Sequence, residues 1–376
     1  MISFAPRHLV VRRHARSLAV FLVAAIGGLD PGSASAQAET IRQYQLRPVD
    51  GQLRLVMTEV PRPTAGPGEV LVRVRATSLN RRDLSILQSS YGGGDRGGIV
   101  PLSDGAGEVV AVGEGVTRFR AGDRVAGTFF ARWVDGRRSA EVNASARGGS
   151  IDGMLSEMVV SPEEGLVHIP EHLSFEEAST LPCAAVTAWN GLFTYGGLET
   201  GDYVLLEGTG GVSVFGLQLA AAAGARPIIT SSSDAKLARA RELGAFGTVN
   251  YRTNPEWQRE VRALTGGEGV QHVLEVGGQD TLEKALQALG YQGHIAMIGA
   301  LSGSAGAMPT GSFIGLGTRV TGIYVGSRAD FEAMNAFITQ HGLRPVVDEV
   351  FSFEEAEAAY ELMDREEHLG KIVIRL

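Results

Sequence analysis

The chain of 376 residues carries 50 glycines, one cysteine and a formal net charge of −8, and 44% of it is hydrophobic. That hydrophobic share excludes a mostly disordered chain, and glycine at nearly twice its usual frequency without a G-X-Y period excludes collagen. The lone Cys183 excludes an intramolecular disulfide framework and a cysteine-rich zinc site, and basic residues scattered beyond position 20 exclude a nucleic-acid footprint.

The first segment reads as an export signal. Arg7, Arg12, Arg13 and Arg16 precede a short apolar run, Ser17–Leu29, and then the small-residue stretch Pro31–Ala36. Basic region, apolar region and A-x-A site are the three parts of a secretory leader. The expectation is a signal peptide over 1–36, cleaved after Ala36 or alternatively after Ala38, and a periplasmic protein with no membrane span in its mature form. The alternatives are an uncleaved anchor and a cytoplasmic enzyme behind a mis-assigned start codon. Arg12-Arg13 also allows a twin-arginine route.

From residue 41 to 165 the texture is that of a small rolled β domain. Glu69–Ala76 alternates strictly, and Gly107–Gly113 and Asp123–Gly127 are further strands between glycine-rich turns. Arg132–Ser150 is polar, without period, and expected as a surface loop. From about 170 to 330 strands and helices alternate: strand Asp202–Glu207, helix Val212–Ala223, strand Arg226–Thr230, helix Asp234–Leu243 with Asp234 as N-cap, strand Val270–Val276, helix Thr281–Ala288, strand His294–Ile298. Such alternation predicts an α/β fold with a parallel sheet covered on both faces. The tail holds a helix, Glu354–Asp364, and a strand, Lys371–Arg375, whose alternation suggests a return to the β domain. Val320–Tyr324 is a candidate edge strand for pairing across a homodimer. His272 and His294 fall within strands and His168 near one. No metal spacing connects the histidines, and all three are expected as packing or edge residues.

Gly208-Thr209-Gly210-Gly211-Val212-Ser213 joins the first of these parallel strands to its helix. Gly208 permits the tight turn and Gly210 lets a pyrophosphate approach bare backbone. The helix N-terminus supplies free N–H groups and partial positive charge. Ser213 stands where the usual fingerprint has a third glycine. An NAD site usually carries an acid at the end of the second strand, gripping the ribose hydroxyls. Here that strand runs into Ser231, Ser232 and Ser233, followed by Lys236, one of only three lysines with Lys284 and Lys371. Hydroxyls plus a cation suit a 2′-phosphate, so NADPH is preferred, with NADH possible. The alternative is that Lys236 is a solvated helix residue.

These residues carry a family resemblance. Ser78–Leu84, Leu102–Gly113, Gly122–Val125, Gly208–Ser213, Lys236–Ala245 and Tyr291–Ile295 make residues 41–376 similar to the medium-chain dehydrogenase/reductases, of the zinc-free quinone reductase-like kind. The resemblance implies a GroES-like β domain (41–168 and 336–376), closed by the C-terminal strand, and a Rossmann doubly wound parallel sheet (169–335), with the active site between them. It implies that Lys236 and Tyr251 touch the 2′-phosphate, that Asn80 faces the nicotinamide and that Thr187 lies near it. Zinc-dependent relatives hold their metal with a cysteine, a His-Glu pair and a further cysteine or histidine. Asn80 and Ser103-Asp104 replace the first two, and Cys183 alone cannot hold a catalytic zinc.

Without zinc, a hydrogen-bond donor must stabilise the oxyanion formed by hydride transfer. Asn80 is the first candidate and Thr187 the second. Their alternatives are an amide pinning the Asn80–Leu84 turn and a helix-facing hydroxyl. Asp83 and Asp104 are read as structural, Cys183 as a buried, inert thiol. No proton donor stands out, leaving Tyr91 or water. The sequence therefore points to a zinc-independent, NADPH-dependent reductase of quinones or activated alkenes and carbonyls. The rivals are an NAD(P)-dependent alcohol dehydrogenase and a non-catalytic dinucleotide-binding protein.

Overall fold

The computed structural model describes residues 39–91, 96–303 and 310–376. The expected signal peptide and the glycines at 92–94 lie outside the described residues. Strands β1 (Thr40–Val49) and β2 (Gln52–Pro61) form an antiparallel hairpin. Its two-residue turn, Asp50-Gly51, has both φ angles positive, 49° and 78°, the geometry that matches the twist of the flanking strands.

Next come β3 (Glu69–Ser78), β4 (Asp104–Val112), β5 (Arg124–Gly127), β6 (Met158–Pro162) and β7 (Leu166–His168). The alternation expected at Glu69–Ala76 is present: Val70, Val72 and Val74 join Val109, Phe119, Val125, Met154 and Leu166 in one apolar cluster. Burying each such side chain contributes roughly 1.5–3 kcal/mol.

The parallel sheet is built from β8 (Tyr203–Leu206), β9 (Arg226–Ser231), β10 (Gly247–Asn250), β11 (Val270–Glu275), β12 (Leu289–Met297) and β13 (Arg319–Gly322). Its order is β10-β9-β8-β11-β12-β13, with every pairing parallel. This is the doubly wound order, whose reversal between β8 and β11 leaves a crevice at the strands' carboxyl ends. Successive residues feed opposite faces. Val204 and Leu206 pack with Phe215, Leu217 and Phe331, while Leu205 packs with Trp257, Val261 and Leu286. Two covered faces explain why these strands read as continuous apolar runs.

The chain then returns through β14 (Val347–Ser352) and β15 (Lys371–Arg375). As its alternation suggested, β15 joins the first sheet. It pairs antiparallel with β3, Val373 opposite Ser78 and Arg375 opposite Ala76, giving the order β14-β15-β3-β4-β5-β7 with β6 also on β3. Residues Glu39–Leu376 form one compact unit.

Some local expectations are corrected. Arg132–Ser150 is not simply a surface loop. It contains a short helix, Ala140–Asn143, capped by Ser139, and the buried Arg147. The Arg147 guanidinium donates to the Thr128 carbonyl at 3.1 Å and to Ser161 Oγ at 2.5 Å, partners just past β5 and in β6 that local polarity does not reveal. Helix Asp234–Glu242 is capped by Ser233, whose hydroxyl accepts from the Lys236 N–H, and not by Asp234. The helices Trp257–Leu264 and Arg328–His341 and the strands β10 and β14 had no counterpart in the sequence reading. The expected boundary at 335/336 falls inside helix Arg328–His341.

Candidate active site

A cleft of about 1310 Å³ runs along the carboxyl ends of β8, β9 and β11, past the start of β15 and the helix Arg81–Leu87, whose N-cap is Asn80. Every candidate site residue lines it: Asn80, Thr187, Gly208, Thr209, Gly210, Gly211, Val212, Ser213, Ser231, Ser232, Lys236 and Tyr251.

At one end the glycine-rich loop leads into helix Gly211–Ala222, with Gly210 as its N-cap. Gly208 has φ 71°, a conformation that costs L side chains roughly 1–2 kcal/mol. Ser213 takes over part of what the missing glycine would do. Its hydroxyl donates to the Glu207 carbonyl at 2.6 Å and ties helix to strand end. The close helix–sheet approach is provided one turn later by Gly216, where an added Cβ would meet Leu206 and Leu274 methyls at 2.8 Å. The backbone N–H groups of this first helical turn, with the helix dipole behind them, are of the kind that favours an anion.

Beside the loop, Ser231 is buried and within 3.4 Å of the Thr209 hydroxyl. Tyr251 is exposed, and Lys236 Nζ donates to the Glu366 carbonyl at 2.9 Å across the cleft. Burial lowers the Lys236 ammonium below the usual lysine range. Asp234 is held by the Asn250 amide at 2.7 Å. Arg252 and His368 also line this part of the cleft. Burial, with Lys236, Lys371 and Arg81 nearby, brings His368 down to about 4. Under the loop, Glu207 is buried and faces Glu275, and its oxygen accepts from the Val276 and Gly277 N–H groups at 3.3 Å. Burial first, then the adjacent Glu275 carboxylate, hold Glu207 well above the usual carboxylate range.

At the other end a polar centre is assembled from four segments. Lys371, the first residue of β15, is buried. Its Nζ donates to the Leu79 carbonyl and to Asn80 Oδ1, both at 2.6 Å, and stands 3.7 Å from Asp104 Oδ2. Asp104 is fully buried and also accepts from the Ser103 hydroxyl at 2.7 Å and the Cys183 N–H at 3.2 Å. Burial raises its carboxyl, while Lys371, Ser103, the nearby Asn80 amide and the Cys183 N–H pull it back. Asp83 accepts from the Asn80 N–H at 2.9 Å, and burial pushes it to about 6 against the pull of Arg82. Asn80 Nδ2 is buried, and the amide faces the Asp104 carboxylate.

Thr187 donates its hydroxyl to the Cys183 carbonyl at 2.7 Å, the helix-facing arrangement, on a segment wound with wide π turns at Leu181–Ala185 and Asn190–Thr194. Cys183 is half-buried rather than buried, and it lines the cleft. Burial and Asp104 push its thiol up, which disfavours the thiolate that a nucleophile or metal ligand requires. Tyr91 and Tyr324 share a hydrogen bond of 2.7 Å between hydroxyls in the cleft wall. His272 and His294 are buried in β11 and β12, outside the cleft lining, and His168 is exposed at the end of β7.

The donor set fits a metal poorly. The polar centre already holds an ammonium, both Asp104 oxygens are occupied, and Asn80 presents its oxygen to Lys371. Among the described residues no group of three or more His, Cys, Asp or Glu is placed to hold an ion. Sequence reasoning missed Lys371, Glu207, Arg252 and His368. Only Lys371 left a trace, as one of three lysines in the chain.

Known proteins share this architecture. Residues 66–171 match the alcohol dehydrogenase GroES-like domain and residues 211–340 match the zinc-binding dehydrogenase model. A zinc-type alcohol dehydrogenase-like protein of Schizosaccharomyces pombe is 44% identical, over 86% of this chain and 95% of its own length. A quinone oxidoreductase of Pseudomonas aeruginosa is 34% identical, over 77% of this chain and 81% of its own length. The crystal structure of a putative alcohol dehydrogenase from Sinorhizobium meliloti superposes with a TM-score of 0.85 at 41% identity, covering 90% of this chain and 99% of that one.

Proposed function

Because the chain belongs to the medium-chain dehydrogenase/reductase superfamily, as an NAD(P)-dependent oxidoreductase, we propose that it is a zinc-independent, NADPH-dependent reductase of quinones or activated alkenes and carbonyls. The observation that carries this reading is the polar centre, where the Lys371 ammonium, held by Asn80 Oδ1 and Asp104, occupies the place beside the cleft that a catalytic metal would need. A conjugated acceptor is electrophilic enough for a hydrogen-bond donor to suffice.

In this reading residues 208–213 hold the pyrophosphate, and Ser231, Ser232, Lys236 and Tyr251 face the 2′-phosphate. A bound reduced nicotinamide supplies hydride. Asn80 is the donor to the acceptor's carbonyl oxygen in this reading, which requires its amide to turn from Asp104 toward the cleft, with Thr187 close by. The walls formed by Phe129, Tyr91 and Tyr324 limit water, and solvent supplies the proton.

The test is NADPH oxidation with 1,4-benzoquinone and methyl vinyl ketone, with and without EDTA. Turnover that survives the chelator is expected, and loss of activity in EDTA would reinstate an alcohol dehydrogenase. Fluorescence titration should give tighter binding of NADPH than of NADH; equal affinities would refute the cofactor assignment. We further propose export through residues 1–36, checked by fractionation and by a mature N-terminus after Ala36. A homodimer paired through β13 is the expected assembly, and a monomer in light scattering would refute it. Among the described residues no helix is long and apolar enough to cross a membrane.

A further inference from the structure

β8 and β11 are neighbours at the point where the sheet order reverses, with Leu206 opposite Leu274. The next residue on each strand is a glutamate, so the carboxyl groups of Glu207 and Glu275 meet at the strands' carboxyl ends. Both side chains are buried. Each commits one oxygen to the turn that follows β11. Glu207 Oε2 accepts from the Val276 and Gly277 N–H groups at 3.3 Å. Glu275 Oε1 accepts from the Gly278 N–H at 2.8 Å and from the Thr281 hydroxyl at 2.7 Å. The second oxygen of each, Glu207 Oε1 and Glu275 Oε2, is buried, and no N–H or hydroxyl reaches it.

Two ionised carboxylates in contact repel, and a buried charged oxygen without a donor is costly. The groups acting on Glu207 are Glu275 and the Val276 and Gly277 N–H groups, with no cation among them. Helix Gly211–Ala222 has no ionisable residue, and β9 and β12 end in Thr230-Ser231 and Ala296-Met297. A proton is what remains to bridge the two free oxygens: one carboxyl donates its O–H and the other accepts. The bridge sits where an open sheet splays at its reversal point. On one side β8 leads directly into Gly208, and on the other Val276 begins the turn; both residues line the cleft.

We propose that Glu207 and Glu275 are positioning residues of the dinucleotide site, a carboxyl–carboxylate clasp that holds the glycine-rich loop and the Val276–Gly278 turn at a fixed spacing. Glu207 belongs to the strand that carries the loop, yet its Oε2 grips the N–H groups of the turn. Glu275 ties the same turn to Thr281 at the start of the next helix. Through the shared proton the two lips of the crevice move as one. The clasp touches neither nicotinamide nor acceptor. It acts on the stretch that receives the pyrophosphate, which NADPH and NADH have in common, and so serves both alike. The inference rests on the pyrophosphate placement at residues 208–213 proposed above, and not on zinc independence or on the preference for NADPH.

The experiment titrates full-length chains by fluorescence with NADPH and, separately, with NADH. Glu207→Gln replaces the shared proton with an amide N–H that does not titrate, so both affinities should stay within about threefold of wild type. Glu207→Met keeps the side-chain length and removes the bridge together with the acceptor for Val276 and Gly277. Both affinities should then fall about tenfold, the scale of a buried hydrogen bond left unmade. Glu207→Asp retracts the carboxyl by one methylene and should lower both in the same way, which keeps the test decisive if the methionine chain does not fold. Infrared difference spectra of wild type against Glu207→Gln at neutral pH should show the C=O stretch of one protonated carboxyl in the wild type. Absence of that band would overturn the shared proton. Wild-type affinities in Glu207→Met or Glu207→Asp, a loss confined to NADPH, or an equal loss in Glu207→Gln would overturn the clasp and leave the proposed function standing. A wild-type protein that binds neither dinucleotide would overturn both.

Discussion

At one end of the cleft, six consecutive residues, 208–213, shape the surface, and they do so with backbone. At the other end, Leu79, Asn80, Asp104, Cys183 and Lys371 meet from four separate stretches of chain, mostly through side chains. The first end needs a turn, a helix start and room for an anion. Its N–H groups do not titrate, and few side chains are indispensable. The second end is a closed set of buried charges and donors, in which removing one member strands another. A backbone site thus tolerates changes of side chain, while a side-chain centre depends on each member and on its protonation state.

The sharpest way to break this contrast is Asp104→Ala. It leaves the Lys371 ammonium buried without its counter-charge, and losing one partner of a buried pair costs about 3–5 kcal/mol. Chemical denaturation should show that loss, and a midpoint equal to wild type would mean that the centre is not closed. Gly211→Ala probes the seam between the ends. An added Cβ would meet Lys371 Cδ at 2.8 Å and Ala184 Cβ at 3.2 Å. Overpacking of this kind costs about 1–3 kcal/mol, and kcat should fall more than NADPH affinity does. Lys236→Ala touches the dinucleotide end alone. NADPH should bind about tenfold more weakly, one charge-assisted hydrogen bond after solvent screening, while NADH affinity stays unchanged in the same titration.

Two smaller effects concern pH. Glu207 has its carboxyl raised by burial and by Glu275, so the folded protein holds that proton more tightly than the unfolded chain. Stability from this group is complete at low pH and declines as pH rises from the ordinary carboxylate range to the raised value. Glu207→Gln should abolish that decline in a series of melting temperatures from pH 5 to pH 9. His294 is the control from outside the cleft. Burial, with Arg319 and His272 near, brings it down to about 4 from 6.5. The unfolded chain protonates first, so stability present above pH 6.5 is lost as pH falls toward 4. His294→Leu should flatten that fall without altering NADPH affinity; a shift in affinity would connect the two regions.

The two ends were unequally legible in the sequence. Gly208–Ser213 and its flanking strand and helix are a local pattern, and the structure differs from the reading there by a residue or so at each boundary. Asn80 was reached only through resemblance, and Lys371 was noticed only for being rare. Nothing within ten residues of Lys371 announces Asn80 or Asp104. Their meeting follows from the antiparallel pairing of β15 on β3, a long-range register that periodicity does not encode. Arg147 was misplaced for the same reason, since its partners come from the end of β5 and from β6. Ser233 and Asp234 were confused because either side chain can cap a helix, and only the backbone bend at Ser233 decides.

Gly370, the residue before Lys371, donates its N–H to the Thr209 carbonyl at 3.0 Å. One hydrogen bond and the peptide link that follows it therefore join the glycine-rich loop to the lysine of the polar centre. The two ends are not interchangeable modules. A chimera that takes its nucleotide-binding half from a relative would carry in a foreign loop and displace the lysine with it. Cofactor preference and acceptor chemistry in this lineage are thus expected to change together, and recombination should succeed only when residues 370 and 371 travel with the loop they touch.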